Sequence, residues 1–174
     1  SVEDTGSTVE KTYQLGGGSI RKVSRGFDGN NNLLSETIYE GSESAYQPGM
    51  GNTTSFTYDG NGNMLIRTDP LNRTVSCTYD DRNRVTHYTN ELGNSIQYQY
   101  EGRNIKTMTD YMGRVTTFEY YDGPIQGLVK SITEVMGNTT SFTYDKGLQK
   151  TITKPGGDIT TYDYDSVVRC TRET

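Results

Sequence analysis

Histidine occurs once in the 174 residues, at His87, and cysteine twice, at Cys77 and Cys170. A single imidazole with no nucleophile or ligand partner in sequence reach gives no catalytic constellation. Two thiols make no disulfide framework, and no spaced Cys/His cluster marks a structural zinc. Aliphatic residues are scarce as well, and only 30% of the chain is hydrophobic. That is little for a globular domain of this length, which needs a larger apolar core. No apolar run approaches the length of a transmembrane helix or of a signal-peptide core. No Lys/Arg cluster is present, and 17 basic against 22 acidic side chains leave a net charge of −5. Nucleic acid and anionic membranes are thereby disfavoured as main partners, because both select basic surfaces.

What is abundant is tyrosine (14 residues) and glycine (20 residues), with threonine and asparagine beside them. Disordered chains are poor in aromatic and β-branched residues. Tyrosine and threonine are strand formers. The composition therefore points to a sheet-rich structure with much exposed surface. Neither end carries a recognisable capping element, so the chain is expected to be a piece of a longer protein.

Self-similarity organises the rest. The ten residues from Met50 to Asp59 recur from Met136 to Asp145. A turn residue anchors each unit: Gly51, Asn72, Gly93, Gly113, Gly137 and Gly157. Glycine and asparagine tolerate positive φ best, so the slot is expected to need a left-handed backbone. Seven residues after each anchor stands a tyrosine: Tyr58, Tyr79, Tyr100, Tyr120, Tyr144 and Tyr164. Two residues earlier comes Phe56, Cys77, Tyr98, Phe118, Phe142 or Tyr162, and two earlier again Thr54, Val75, Ile96, Thr116, Thr140 or Thr160. A spacing of two marks one strand face, here aromatic, with small polar residues such as Ser55 and Thr57 opposite.

After each tyrosine the chain turns through residues such as Asp59-Gly60-Asn61-Gly62 and Asp80-Asp81-Arg82-Asn83. Aspartate there is read as bonding its own turn backbone. Second strands are expected over 64–69, 85–90, 105–110, 129–134 and 148–154. Their apolar pairs, such as Val85 with Tyr88 and Ile105 with Met108, lie three apart, which predicts a bulge. The domain reading is a degenerate repeat with a polar loop over residues 1–50, whose first nineteen residues carry weak signal and are expected to be partly disordered. Six tandem hairpins follow over 51–174. With about fourteen strands at a spacing of about 4.8 Å, the fold class is all-β: antiparallel hairpins joined into a curved ribbon or solenoid.

These residues carry a resemblance to the YD-repeat, or RHS (rearrangement hotspot), family. The match lies in Tyr58-Asp59, Tyr79-Asp80, Tyr144-Asp145 and Tyr164-Asp165, supported by the Asp-x-x-Gly/Asn-Arg stretches at Asp69 to Arg73 and Asp110 to Arg114. It covers roughly residues 27–174. Tyr100 followed by Glu101, and Tyr120 followed by Tyr121, depart from it. The resemblance implies a ribbon that spirals into a hollow shell, as in bacterial polymorphic toxins, insecticidal toxin complexes, wall-associated proteins and teneurins. It also implies an extracellular or cell-surface location, with further repeats or a cargo domain of the same protein as partners. The self-cleaving segment of the toxin members has no counterpart here.

No enzyme and no cofactor are expected. Asp59-Gly60-Asn61-Gly62-Asn63 looks like an oxygen-rich calcium loop but lacks its distal glutamate. Asn52-Thr53-Thr54, Asn72-Arg73-Thr74 and Asn138-Thr139-Thr140 are glycosylation sequons of a kind that Thr-rich sequence produces by chance. Two functions compete: a structural scaffold in the shell of a larger secreted or surface toxin or adhesin-like protein, and a repeat module that binds a glycan or a surface protein. An isolated fragment of such an array is expected to self-associate, because its ends leave backbone groups unpaired.

Overall fold

The structure is a computed structural model that describes residues 6–174. The chain divides into two compact units, Ser1–Ser95 and Ile96–Thr174. The first unit holds β1 (Thr8–Gly16), β2 (Ser19–Phe27), β3 (Leu33–Ser42), β4 (Asn52–Tyr58), β5 (Met64–Thr68), β6 (Thr74–Tyr79) and β7 (Val85–Thr89). From the boundary onward come β8 (Ser95–Glu101), β9 (Asn104–Thr109), β10 (Val115–Tyr120), β11 (Val129–Thr133), β12 (Thr139–Asp145), β13 (Leu148–Thr153), β14 (Ile159–Tyr164) and β15 (Cys170–Glu173). Within each unit the strands follow one another in the sheet in chain order, without a crossover. The protein is thus all-β and antiparallel. Among the described residues the helical pieces are single 3₁₀ turns at Glu43–Ala45, Gly123–Ile125 and Val135–Gly137. No helix there is long and apolar enough to cross a membrane.

The first strand corrects the sequence reading. Thr8–Gly16 is a nine-residue strand, and the described residues form fifteen strands where about fourteen are expected. It pairs with β2 from Thr8↔Gly26 to Gly16↔Ser19. The turn that makes this possible is the glycine run, with Gly16, Gly17 and Gly18 at φ 87°, 61° and 76°. Glycine enters that region without a steric penalty, so a run that looks like a loose linker closes a hairpin. The expectation of disorder at residues 1–5 lies outside the described residues.

Each long hairpin carries the same irregularity. Tyr79 pairs with Val85, but Thr78 pairs with His87, so Thr86 is an extra residue. Tyr58 pairs with Met64 and Thr57 with Ile66, leaving Leu65 extra. The same step occurs at Phe27/Leu33, Tyr100/Ile105, Tyr120/Val129, Tyr144/Gln149 and Tyr164/Cys170. One inserted residue reverses the side-chain parity beyond it. Val85 and Tyr88 therefore share the face of Tyr79 and Cys77, although they lie three apart in sequence.

Burial is shallow. The buried apolar residues are Ile20, Val23, Val75 and Cys77, joined by Asp69 and Ser131. The accessible surface is 11925 Å² for a 19.4 kDa chain, against about 8,500 Å² for a compact globule of that mass. A sheet without a second layer has this signature. The large side chains of the aromatic face are mostly half-buried against their neighbours in the same sheet.

Candidate functional site

The chemistry-bearing groups recur with the repeat rather than gather at one point. The aromatic residues of the first strand face mostly aliphatic partners on the second, not one another. Tyr98 opposes Met108 and Tyr100 opposes Ile105. Phe118 opposes Ile132, and Tyr120 opposes Val129. Phe142 opposes Ile152, and Tyr144 opposes Gln149. Phe56 lies against Arg67, which forms an ion pair with Glu91. Tyr162 opposes Glu173 and Tyr164 opposes Cys170. An aromatic ring on a branched chain is a favourable cross-strand pair.

At Tyr58 and Tyr79 the last tyrosine of the strand has a second task. The β5–β6 ladder ends at Ile66↔Ser76, and beyond it the Tyr79 hydroxyl donates to the Met64 carbonyl at 2.8 Å. The β3–β4 ladder ends at Ser35↔Ser55, and the Tyr58 hydroxyl donates to the Leu33 carbonyl at 3.0 Å. The phenol stitches one hairpin to the one before it, where the two strands no longer bond directly. Desolvation by the packed sheet pushes the Tyr58 and Tyr79 phenols above their ordinary range. Tyr121, a departure from the repeat, donates from its hydroxyl to the Phe142 carbonyl at 2.9 Å. Its ring also meets that of Tyr144 edge-on, with centroids 5.9 Å apart.

Most turns share one five-residue loop, which occurs at both ends of the strands. At Asp59 the backbone amide donates to the Asn63 carbonyl (2.9 Å) and the Gly62 amide donates to the Asp59 carbonyl (3.1 Å). Asp59 Oδ1 accepts the amides of Asn61 and Asn63, each at 2.9 Å, and Oδ2 accepts the Asn63 side-chain amide at 2.9 Å. Asp28 repeats the scheme with Asn32. Asp69, Asp80, Asp110 and Asp165 repeat it with arginine in the fifth place, where Nε reaches Oδ2 at 2.6, 2.8, 2.6 and 2.8 Å. Asn90 keeps the amide acceptor with Leu92 and Asn94, both at 3.0 Å.

The fourth residue of these loops takes positive φ: Asn72 at 60°, Gly93 at 79° and Gly113 at 76°, with Gly137 at 79° and Gly157 at 88° in loops that open at Glu134 and Lys154. Gly51, at φ 126°, answers to a different need. A Cβ there would lie 2.6 Å from the Ile38 carbonyl oxygen. The carboxylates are held ionised by these donors. Asp80 is lowered to about 2, first by the Arg84 guanidinium and then by the backbone amides. Asp28, Asp59, Asp69, Asp110 and Asp165 are lowered for the same kind of reason. The Asp59 oxygens that resemble calcium ligands are engaged with the loop's own N–H groups. The sequence pattern disclosed the aspartates and the left-handed slot, but not that the same loop recurs at both ends of the strands, as at Asp59 and Asp69 around β5.

Two hairpins of the unit Ile96–Thr174 close on two-residue turns instead. Glu101 pairs with Asn104 around Gly102-Arg103, and Asp145 pairs with Leu148 around Lys146-Gly147. Asp145 is therefore a strand residue, although it follows Tyr144 as Asp59 follows Tyr58.

The remaining candidates stay apart. His87 is exposed on β7, with Nδ1 3.2 Å from the Thr78 hydroxyl. Cys77 is a buried free thiol and Cys170 an exposed one. No group of three or more metal-ligating side chains occurs among the described residues. Residues 41–50 fold over β1–β3, where Tyr46 packs edge-on against Tyr39 at 5.1 Å and under the Lys22 ammonium at 4.2 Å. The cleft beneath holds about 60 Å³, room for a water molecule or two rather than a substrate.

No family model matches the sequence, and no curated protein does. Solved structures do. A chain of the Photorhabdus luminescens Tc holotoxin pore superimposes over 88% of this chain with a TM-score of 0.65 at 14% identity. A chain of the TcdB2-TccC3-Cdc42 complex does so over 94% with a TM-score of 0.62 at 13% identity. The matched parts are 9% and 12% of those chains, so this chain spans about a tenth of the structures it matches. At such identities the likeness is one of fold, and the fold is that of an RHS-like array of antiparallel hairpins.

Proposed function

We propose that this chain is a stretch of YD/RHS-repeat wall in the β-shell of a larger secreted or surface toxin or adhesin-like protein. Its task is structural and it performs no catalysis of its own. Its partners are further repeats of the same protein and the cargo that they enclose. The observation that carries this reading is the repetition of a self-closed hairpin with the fold of the Tc toxin chains. Each hairpin pairs with the previous one along a strand, and two add a tyrosine stitch, so the array extends by addition of units, as repeat proteins do.

The test is electron microscopy and limited proteolysis of the complete protein that contains this stretch. A hollow shell with a protease-protected passenger is expected. A complete protein that encloses nothing would overturn the proposal. A saturable hit for the 174-residue chain on a glycan array would assign it to the binding-module reading instead.

A further inference from the structure

We infer that Asn61 is a site of spontaneous covalent modification, deamidation through attack by the Gly62 nitrogen, and that Asn83 of the next hairpin restrains it. The inference rests on this loop and not on the shell reading. Asn-Gly occurs once in the chain, at Asn61-Gly62. Both residues are exposed, in the loop that joins β4 to β5. Glycine is there for the backbone: Gly62 sits at φ 82°, a region that it enters without a steric penalty. The same choice leaves the amide nitrogen after Asn61 with no side chain to shield it.

In the reaction the Gly62 nitrogen bonds to Asn61 Cγ. The C–N bond of the carboxamide breaks, and its nitrogen leaves as ammonia with the proton of the Gly62 amide. The succinimide ring that results takes up water at one of its two carbonyls, which gives aspartate or isoaspartate at position 61. No oxidant or cofactor is consumed. Two contacts hold the reacting groups. The Gly62 N–H donates to the Asp59 carbonyl at 3.1 Å, and Asn61 Nδ2 donates to Asn83 Oδ1 at 3.1 Å. Asn83 Oδ1 also accepts Nδ2 of Asn63 at 2.8 Å, so it clamps this loop to the one that joins β6 to β7. Attack requires both contacts to open. The product cannot restore the clamp, because a carboxylate at position 61 has no N–H to donate to Asn83 Oδ1. Deamidation therefore loosens one hairpin from the next.

The loop at Asp28 is the internal comparison. Asn30 holds the same place, its backbone amide on Asp28 Oδ1 at 3.0 Å as that of Asn61 is on Asp59 Oδ1 at 2.9 Å. Asn31 follows it in the left-handed slot at φ 66°. Loop and place are shared, and the residue behind the asparagine differs.

Peptide mapping by mass spectrometry of the 174-residue chain, stored at mildly alkaline pH, tests this. Asn61 is expected to convert before any other asparagine, with isoaspartate at that position, while Asn30 stays intact. Asn83→Gly suits the left-handed slot of its own loop, where Asn83 is at φ 60°, and removes the clamp. Conversion at Asn61 should then be about two- to tenfold faster, the factor that one hydrogen bond accounts for. Gly62→Asn copies the loop at Asp28, and a Cβ there would meet Asn32 Oδ1 at an ordinary 3.5 Å. It should fold with unchanged circular dichroism and suppress conversion at Asn61. Earlier conversion at another asparagine, a rate indifferent to Asn83→Gly, or conversion at Asn61 that survives Gly62→Asn would each overturn the inference.

Discussion

Aspartate at the head of a turn is the residue on which most of this structure converges. Asp80 titrates near 2 when folded, below its unfolded value of 3.8. A depressed carboxylate contributes stability that is complete above the unfolded value and is lost as pH falls through the folded one. Five further loop aspartates shift the same way, so stability should fall steeply from about pH 4 downward. Asp80→Asn keeps the amide acceptor, as Asn90 does naturally, and removes the ion pair with Arg84. Its urea midpoint should drop less than the parent's on going from about pH 5 to about pH 2. A parallel drop would show that Asp80 does not contribute to the acid sensitivity.

Val168 occupies the left-handed slot of its loop at φ 67°, where other units place glycine or asparagine. A β-branched residue is strained there by roughly 1–2 kcal/mol. Val168→Gly should stabilise the chain by about 1 kcal/mol, with part of the relief offset by the greater freedom of glycine when unfolded. Thermal unfolding of the pair checks the sign.

At the scale of elements, the hairpin was legible because its signals repeat. The alternation from Thr54 to Tyr58 marks the first strand, and the spacing of three between Val85 and Tyr88 marks the bulge at Thr86. What stayed hidden depends on atoms that pattern does not carry. The β1–β2 hairpin is written in glycines, which read as linker. Tyr58-Asp59 and Tyr144-Asp145 lie in identical decapeptides, yet Asp59 opens a five-residue loop and Asp145 ends a strand. The residues that follow decide: Lys146 and Gly147 both take positive φ, at 50° and 84°, and close a two-residue turn. The phenol stitch was invisible too, since spacing marks a tyrosine as packed but not as bonded. Tyr79→Phe keeps the ring and strands the Met64 carbonyl, and should cost about 0.5–1.5 kcal/mol in denaturant unfolding. Phe142→Leu is the control that changes packing and leaves the Tyr58 and Tyr79 hydroxyl bonds untouched.

For the whole molecule, stability is spread unevenly. The buried apolar residues Ile20, Val23, Val75 and Cys77 all belong to the unit Ser1–Ser95, while among the described residues of Ile96–Thr174 the buried one is the polar Ser131. A repeat array need not unfold as one body, because each unit is held mainly by its neighbours. Amide exchange should therefore be faster in β13 to β15 than in β2 and β3. Uniform protection across the chain would indicate one cooperative body instead.

The self-closed turn also bears on how such a chain changes length over evolutionary time. Most loops finish their hydrogen bonds within five residues, as at Asp59–Asn63 and Asp69–Arg73, so whole hairpins can be lost or gained without opening a neighbour's turn. The repeated decapeptides at Met50–Asp59 and Met136–Asp145 mark where recombination would cut. Joining Asp59 directly to Lys146 removes residues 60–145 and brings β4 against β13. In that chain Phe56 and Tyr58 would stand where Phe142 and Tyr144 now face Ile152 and Gln149. The shortened chain should fold with an all-β circular dichroism spectrum, because the splice keeps both register and bulge. Length in this architecture is then a heritable variable that can drift by whole units while every turn stays intact.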